Sequence, residues 1–462
     1  MTDSFDNITT LKKSANSNSD FLYLLNKLDV KSSLTRFYLY SQKFTANKTE
    51  LQNEFDKIEE TISLLESKKN NKIFSDIEHK LSQILDINRT LQNLENAIVL
   101  NDIELFEIKR FAILADDIRQ IILEFELIDL PDLSEVINIL DPEKTRITSF
   151  YVYDVYSAEL AILRKSINNN DKNSSAETYQ KIVEIEDEIR QKLSAKLQKY
   201  ARDLSIALHK IAYFDLLIAK AKQAIEYCFC KPLLVDNSMS YKGLFNPQLK
   251  DILNAECKKY QPVDILFGKY PTLITGINMG GKTVLLKTLA LAQNLCQYGF
   301  YVPATNAEIC LVDKIMISID DEQNHLQGLS SFAAEMKNVN EILFAITEKK
   351  SLLVLFDELA RTTNPSEGRA IVTALLDTLS ENNVCSFITT HYDKIISDCR
   401  SLRVRGFADN VKIENEKNIQ QYIDYSLVEE SKANVPHEAI RIAEMLGVDK
   451  KFIEKAKEKL LM

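Results

Sequence analysis

Residues 275 to 288 read TGINMGGKTVLLKT. Gly276 is followed by four residues and then by Gly281, Lys282 and Thr283, the G-x-x-x-x-G-K-[ST] pattern of a phosphate-binding loop. Glycines at 276, 280 and 281 let backbone N–H groups turn inward around phosphate oxygens. Asn278 and Met279 fill the loop between them. A helix that starts here aims its N-terminus at the same anion. Lys282 is placed to reach the β- and γ-phosphates and Thr283 to hold Mg²⁺ through its hydroxyl. The pattern requires a strand before it and a helix after it. The apolar run LITG (273–276) supplies the first, and KTVLLKTLALAQNLCQYG (282–299), closed by Gly299, supplies the second.

Further along, strand-like and helical runs alternate. KIMISID (314–320) reads as a strand, NVNEILFAI as a helix, LLVLFDE (352–358) as a buried strand and SFITTH (386–391) as another. That alternation predicts an α/β domain with a largely parallel sheet. The strand at 352–358 ends in two acids. A strand-end Asp beside a phosphate loop positions Mg²⁺, the role expected of Asp357. Glu358 is placed to polarise an attacking water as a general base. Thr389-Thr390-His391-Tyr392 follows the next strand, where His391 could reach a γ-phosphate and sense it. His79, His209, His325 and His437 read as structural or solvated. In GLSSFAAEM (328–336), Ser330 and Ser331 precede a helix and read as capping residues on residue type alone.

The N-terminal half has another character. All ten glycines lie at Gly243 or later, and no proline precedes Pro131. Without these breakers, long helices are favoured. From Ala176, apolar residues at Ile182, Ile185, Ile189, Leu193, Leu197, Tyr200, Leu204, Leu208 and Ile211 step by three and four, predicting one helix of some fifty residues. Residues 147–167 read as a second helix, and NNNDKNSS (168–175) as the polar tip joining the two into a hairpin. DLSEVINILD, between Pro131 and Pro142, reads as a short connecting helix. Residues 1–235 are therefore expected to be all-helical and 236–462 to form the α/β domain.

Composition sets further bounds. A hydrophobic content of 45% and a charged content of 27% are those of an ordinary globular chain. No run of eighteen apolar residues is present, so no membrane span is expected, and MTDSFDNITTLKKSANSNSD lacks the apolar stretch of a signal peptide. Seven cysteines with no C-x-x-C spacing fit reduced, structural thiols in a cytoplasmic protein. A net charge of −10 gives no general attraction to nucleic acid, though a local patch could still exist.

Taken together, the motifs resemble those of the MutS family, ATPases related to the ABC class. Asn278-Met279-Gly280-Gly281-Lys282 resembles the family's N-M-G-G-K loop, and Tyr301-Val302-Pro303-Ala304 its Y/F-V-P-A. Ser330-Ser331-Phe332 with Glu335-Met336 resembles S-T-F-x-x-E-M. Asp357 to Thr363 resembles D-E-x-G-R-G-T, with Ala360 and Thr362 standing where that pattern has glycines. Thr390-His391-Tyr392 matches T-H-Y. The segment from about 435 to 462 resembles the helical tail that closes the family's ATPase domain, and LNDIELFEIKRF (100–111) resembles part of its core domain. The resemblance implies ATP and Mg²⁺ as ligands and a homodimer formed through the ATPase domains. It also implies that Ser330 and Ser331 act in trans on the partner's nucleotide. It assigns residues 1–235 to the core and lever, with a much reduced clamp hairpin.

Some family features have no counterpart here. Phe-x-Glu, the mismatch-reading motif, occurs only at 356–358 and 452–454, outside any N-terminal domain. Residues 168–200 balance six acids with six basic residues, so the tip lacks the basic footprint of a DNA clamp. No nuclease domain is expected after the tail helix. Two functions follow from the resemblance. One is a DNA-associated ATPase of mismatch repair or recombination. The other is a protein-remodelling ATPase, similar to those that reactivate adenosylcobalamin-dependent aminomutases.

Overall fold

The structure is a computed structural model, and it describes residues 10–125, 127–147, 149–168, 176–276, 280–319, 331–392, 395–407, 422–430, 440, 443 and 447–460. The chain packs as two compact units. One comprises the described residues of Met1–Leu28, Lys43–Asp56 and Gln223–Met462, and the other Asp29–Gln42 and Lys57–Lys222. Each unit is discontinuous in sequence, whereas the sequence suggested a single boundary at 235/236.

The first 230 residues form helices α1 (Leu11–Ser17), α2 (Ser19–Lys27), α3 (Ser33–Ser41), α4 (Lys48–Glu66), α5 (Asn71–Leu81), α6 (Asn88–Glu95), α7 (Asp102–Ile122), α8 (Ser134–Leu140), α9 (Ala158–Asn168), α10 (Ala176–Gln198) and α11 (Ala201–Tyr227). The helix α7 starts with a capping box. The Asn101 side chain accepts the Glu104 N–H, and Glu104 accepts the Asn101 N–H in return. Its buried residues Leu105, Ile108, Phe111, Ala112, Ala115 and Ile118 join the core of the helical unit. Charge is also buried there. Lys109, fully buried, donates to Asp141 at 3.2 Å and to the Tyr153 hydroxyl at 2.9 Å.

Two helical expectations change. The predicted helix from Ala176 is interrupted by a turn at Lys199–Tyr200, giving α10 and α11; the residue types there do not announce it. The helix predicted over 147–167 is confined to α9, after a 3-10 turn at Asp154–Tyr156. Ser157 sets that start, because its hydroxyl accepts the Leu160 N–H at 3.3 Å as an N-cap. The hairpin tip at 168–175 lies, apart from Asn168, outside the described residues.

The other unit contains β1 (Leu233–Val235), β2 (Ser238–Leu244), α12 (Pro247–Ala255), β3 (Val263–Gly268), β4 (Pro271–Thr275), α13 (Lys282–Gln297), β5 (Asn306–Cys310), β6 (Lys314–Ser318), α14 (Ser331–Thr347), β7 (Leu352–Phe356), α15 (Pro365–Glu381), β8 (Cys385–Thr389), β9 (Arg400–Phe407), β10 (Ile423–Glu429) and α16 (Lys450–Leu460). Six strands form the main sheet in the order β10-β9-β4-β8-β7-β6. Every pairing in it is parallel except β10 with β9. A parallel sheet covered on both faces needs continuous apolar strands. In β7, Leu352, Val354 and Phe356 join a core with α14 and α15, while Leu353 and Leu355 on the opposite face are buried as well. A smaller sheet, β1-β5-β2-β3, accompanies it; its short runs carried no signal in the sequence reading.

The N-terminal helices pack into this unit. The Phe21 ring stacks on Tyr298 at 5.7 Å, and Ser14 and Tyr298 share a 2.8 Å hydroxyl hydrogen bond. Asn246 caps α12 by accepting the Leu249 N–H and donates to Asp20 at 2.7 Å. All seven cysteines are free thiols. Cys296, Cys310 and Cys385 are buried as expected, but Cys228 and Cys257 are exposed. Burial pushes the Cys230 thiol up to about 11 and those of Cys296 and Cys385 higher, which keeps them protonated and inert. No helix among the described residues is long and apolar enough to cross a membrane.

Candidate functional site

The parallel strands β4, β7 and β8 end side by side, and the residues at their C-terminal ends meet the start of α13. Register explains the meeting. Leu273 pairs with Ile388 and Phe356 with Ile388, so Ile274, Asp357 and Thr389 come level just beyond, with Thr275 one residue further along the same edge. In open parallel sheets that edge is where ligands bind.

The loop between β4 and α13 begins at Gly276 with φ +120°, a conformation only glycine adopts without strain. Gly281, at φ +73°, is the N-cap of α13. A Cβ there would come within 3.3 Å of the Tyr425 ring, so the position is restricted by space as well as conformation. Lys282 is buried, and its ammonium donates to the Gly276 carbonyl at 2.6 Å, closing the loop on itself. Gly280 lies at the loop's end; Asn278 and Met279 lie outside the described residues.

Asp357 is the centre of a hydroxyl cluster. Its Oδ2 accepts the Thr283 hydroxyl at 2.5 Å and its Oδ1 the Thr389 hydroxyl at 2.5 Å. The Glu358 N–H in turn donates to the Thr389 oxygen at 2.8 Å. Thr283 and Asp357 therefore lie together and offer the hard oxygen donors that Mg²⁺ takes when phosphates and waters complete its shell. The donor set fits that ion. A hydroxyl that gives its proton to Asp357 keeps its lone pairs for a cation.

Glu358 is held differently. Its backbone sits at φ +50°, a left-handed conformation that costs a non-glycine residue about 1–2 kcal/mol. Its carboxylate is mostly buried and pairs with the exposed Arg361 guanidinium at 2.9 Å. Ala360 is also left-handed, at φ +61°. Its N–H donates to Glu335 on α14 at 2.7 Å, and its carbonyl accepts the Tyr392 hydroxyl at 2.5 Å. Tyr392 in turn presses on α15, where a Cβ on Gly368 would fall 2.2 Å from the tyrosine oxygen. Burial raises the Tyr392 pKa, with the Glu335 charge adding to it, so the phenol stays a donor.

His391 lies two residues beyond β8 and is exposed, its ring 4.3 Å from that of Tyr392. Ser331 is the first residue of α14 rather than a residue before the helix; Ser330 lies outside the described residues. Of the other histidines, His325 and His437 are outside them too, whereas His79 shares a hydrogen bond with Gln83.

Sequence reasoning missed Thr389 and a cavity beside the loop. The one usable signal for Thr389 was its place at the end of an apolar strand. The cavity, about 300 Å³, is lined by Tyr260, Val263, Gly280, Gly281, Tyr425 and Leu427 among others. Its walls come from elements far apart in sequence, which no local pattern reveals. A larger cavity of about 560 Å³ runs along β6, but its lining includes none of Gly276, Lys282, Thr283 or Asp357.

Comparison with known proteins adds an independent line. Residues 272–462 match the family model of MutS domain V. Among curated proteins, the chain is 34% identical over 291 residues to Endonuclease MutS2 of Ligilactobacillus salivarius, covering 60% of this chain and 34% of that protein. It is 32% identical over 299 residues to Endonuclease MutS2 of Geobacillus thermodenitrificans, covering 63% and 35%. With Endonuclease MutS2 of Fusobacterium nucleatum the identity is 34% over 308 residues, covering 63% and 36%. The chain spans about a third of the length of the curated relatives it matches.

Proposed function

Because the chain belongs to the MutS family, we propose that residues 236–462 bind and hydrolyse ATP with Mg²⁺, and that residues 1–235 act as the core and lever that carry nucleotide state to DNA. The observation that carries this reading is the cluster at the sheet edge, where Thr283, Asp357 and Thr389 share hydrogen bonds with Glu358 next in line. The triphosphate would lie in the loop from Gly276 through Asn278 and Met279 to Gly281, with the base in the apolar cavity at Tyr260 and Tyr425. Thr283 and Asp357 would hold Mg²⁺, which would supply positive charge against the charge that develops on the phosphates.

The chain's own residues do the rest. Lys282 exchanges the Gly276 carbonyl for phosphate oxygens, a gain because a charge-assisted bond to an anion is the stronger one. Glu358 takes the proton of the attacking water. Its Oε2 pairs with the exposed Arg361 guanidinium. His391, exposed at the site's rim, is free to turn toward a γ-phosphate. Ser330 and Ser331 would serve the nucleotide of a second copy across a homodimer.

DNA as the cargo rests on the relatives, which are named endonucleases. Cleavage itself is not carried over to a chain that spans a third of them. A cytoplasmic location belongs to the same reading. The test has two parts. Glu358→Gln should slow hydrolysis about 10²–10⁴-fold while keeping nucleotide bound; normal turnover would remove Glu358 from its role. Titration of duplex, mismatched and branched DNA across a salt series should show affinity falling steeply with salt. An absence of binding even at low salt would point to a protein cargo instead, of which an aminomutase is the case to try first.

A further inference from the structure

The motif Thr389-Thr390-His391-Tyr392 contributes more than its histidine. Thr389 is the last residue of β8 and has no exposed surface. Its hydroxyl makes two bonds at once. It donates to Asp357 Oδ1 at 2.5 Å and accepts the Glu358 N–H at 2.8 Å. A hydroxyl has one proton and two lone pairs, so these contacts use its donor and one acceptor. Threonine is branched at Cβ and stiff about χ1, which fixes the direction of both bonds.

The two contacts lie on successive residues with different tasks. Asp357 already receives Thr283 on Oδ2. With Thr389 on Oδ1, the carboxylate is gripped from the start of α13 and from β8, and its plane is set before any cation arrives. Glu358 is held in a left-handed conformation at φ +50° that an unrestrained glutamate leaves. The bond from its N–H to Thr389 is a restraint acting on that residue's own peptide.

We propose that Thr389 is a positioning residue that sets, through one buried hydroxyl, both the Mg²⁺-holding carboxylate of Asp357 and the backbone conformation that aims Glu358. The assignment rests on the reading of this edge as an ATP site. It separates Thr389 from His391, whose exposed ring takes no part in the cluster.

The test compares Thr389→Val, which keeps the shape and removes the hydroxyl, with Thr389→Ser, which keeps the hydroxyl. Binding of a fluorescent ADP analogue to the full chain is measured in EDTA and across a Mg²⁺ titration. Thr389→Val should leave the affinity in EDTA unchanged, lose about 10-fold of the gain conferred by Mg²⁺ and need more Mg²⁺ for half-saturation. Thr389→Ser should restore both. A packing role alone would lower affinity equally in the two buffers. If Thr389→Val melts below the assay temperature, Thr389→Ala with the same serine control gives the same comparison without a second branch to fit. A full Mg²⁺ gain in the valine or alanine variant overturns the role of Thr389 and leaves the ATP site standing. A wild-type chain that binds no nucleotide in either buffer overturns both.

Discussion

Two buried lysines mark the difference between the helical unit and the α/β unit. Lys109 of α7 has a dedicated counter-charge, Asp141, and its ammonium also lies 5.0 Å from the centre of the Tyr153 ring. Asp141 also accepts the Arg146 N–H at 2.7 Å on its other oxygen, Oδ2, and the Thr145 hydroxyl at 2.9 Å on Oδ1, the oxygen that Lys109 uses. Lys282 of α13 has its ammonium on a backbone carbonyl of its own loop, where a better acceptor can displace it. The same holds for Glu358, whose partner Arg361 is exposed and exchangeable. A polar group closed off by fixed partners serves specificity of packing, and one left on an exchangeable partner is available to a ligand. Burial alone does not tell them apart; the identity of the partner does.

Exchanging the two lysines' fates should break or sharpen that contrast. Lys109→Ala leaves Asp141 buried without its counter-charge and should cost about 3–5 kcal/mol, read as a lower thermal or urea midpoint. Lys282→Met keeps the buried stem, should leave the midpoint within a few degrees of wild type and should weaken nucleotide binding at least about 10-fold. If Lys109→Ala is as mild as Lys282→Met, the distinction between closed and exchangeable pairs is wrong. The Lys109 pair also has a pH signature. Burial by itself would raise the Asp141 carboxyl, but hydrogen bonds from Arg146, Thr145 and Lys109 outweigh it and hold its pKa below the ordinary value. A carboxyl lowered on folding contributes stability above its unfolded pKa of about 4, lost as pH falls through the folded value. Acid titration should therefore weaken the wild type below about pH 4, and Asp141→Asn should flatten that part of the curve.

Smaller effects probe the loop that follows the acid pair. Gly368→Ala would set a methyl group against the Tyr392 oxygen and force the ring or α15 to shift, at about 1–3 kcal/mol. Because Tyr392 holds the Ala360 carbonyl, the same variant should slow hydrolysis more than it weakens nucleotide binding. Ala360→Gly is the mildest. It relieves a left-handed alanine and should raise stability by about 0.5–1 kcal/mol, measured as an increased melting temperature. A loss on this substitution would mean that Ala360 is not strained.

The family pattern places glycine where Ala360 stands, and its backbone conformation supplies the reason. Both its N–H and its carbonyl are taken up by side chains, Glu335 and Tyr392, from other elements. That left-handed turn could not be read from the letters DELARTT. The elements that could be read are those whose signal is local. The glycine spacing gave the loop, the apolar runs gave β4, β7 and β8, and Gly299, at φ +71°, does close the helix α13. What stayed hidden depends on distant partners. The smaller sheet pairs β5 with strands some seventy residues earlier, and the hydroxyl cluster brings 283, 357 and 389 together. The break at Lys199–Tyr200 was hidden for another reason, since the apolar period runs through it without a fault.

The uneven burial of the thiols has a practical consequence. Cys228 and Cys257 face solvent, while Cys296, Cys310 and Cys385 are enclosed. All five belong to the α/β unit. A maleimide added to the native chain therefore meets Cys228 and Cys257 first and the partly exposed Cys230 and Cys399 next, and adducts beyond four record the enclosed sites coming into reach. Counting adducts over time by mass spectrometry turns the unaltered chain into its own clock for the opening of that unit.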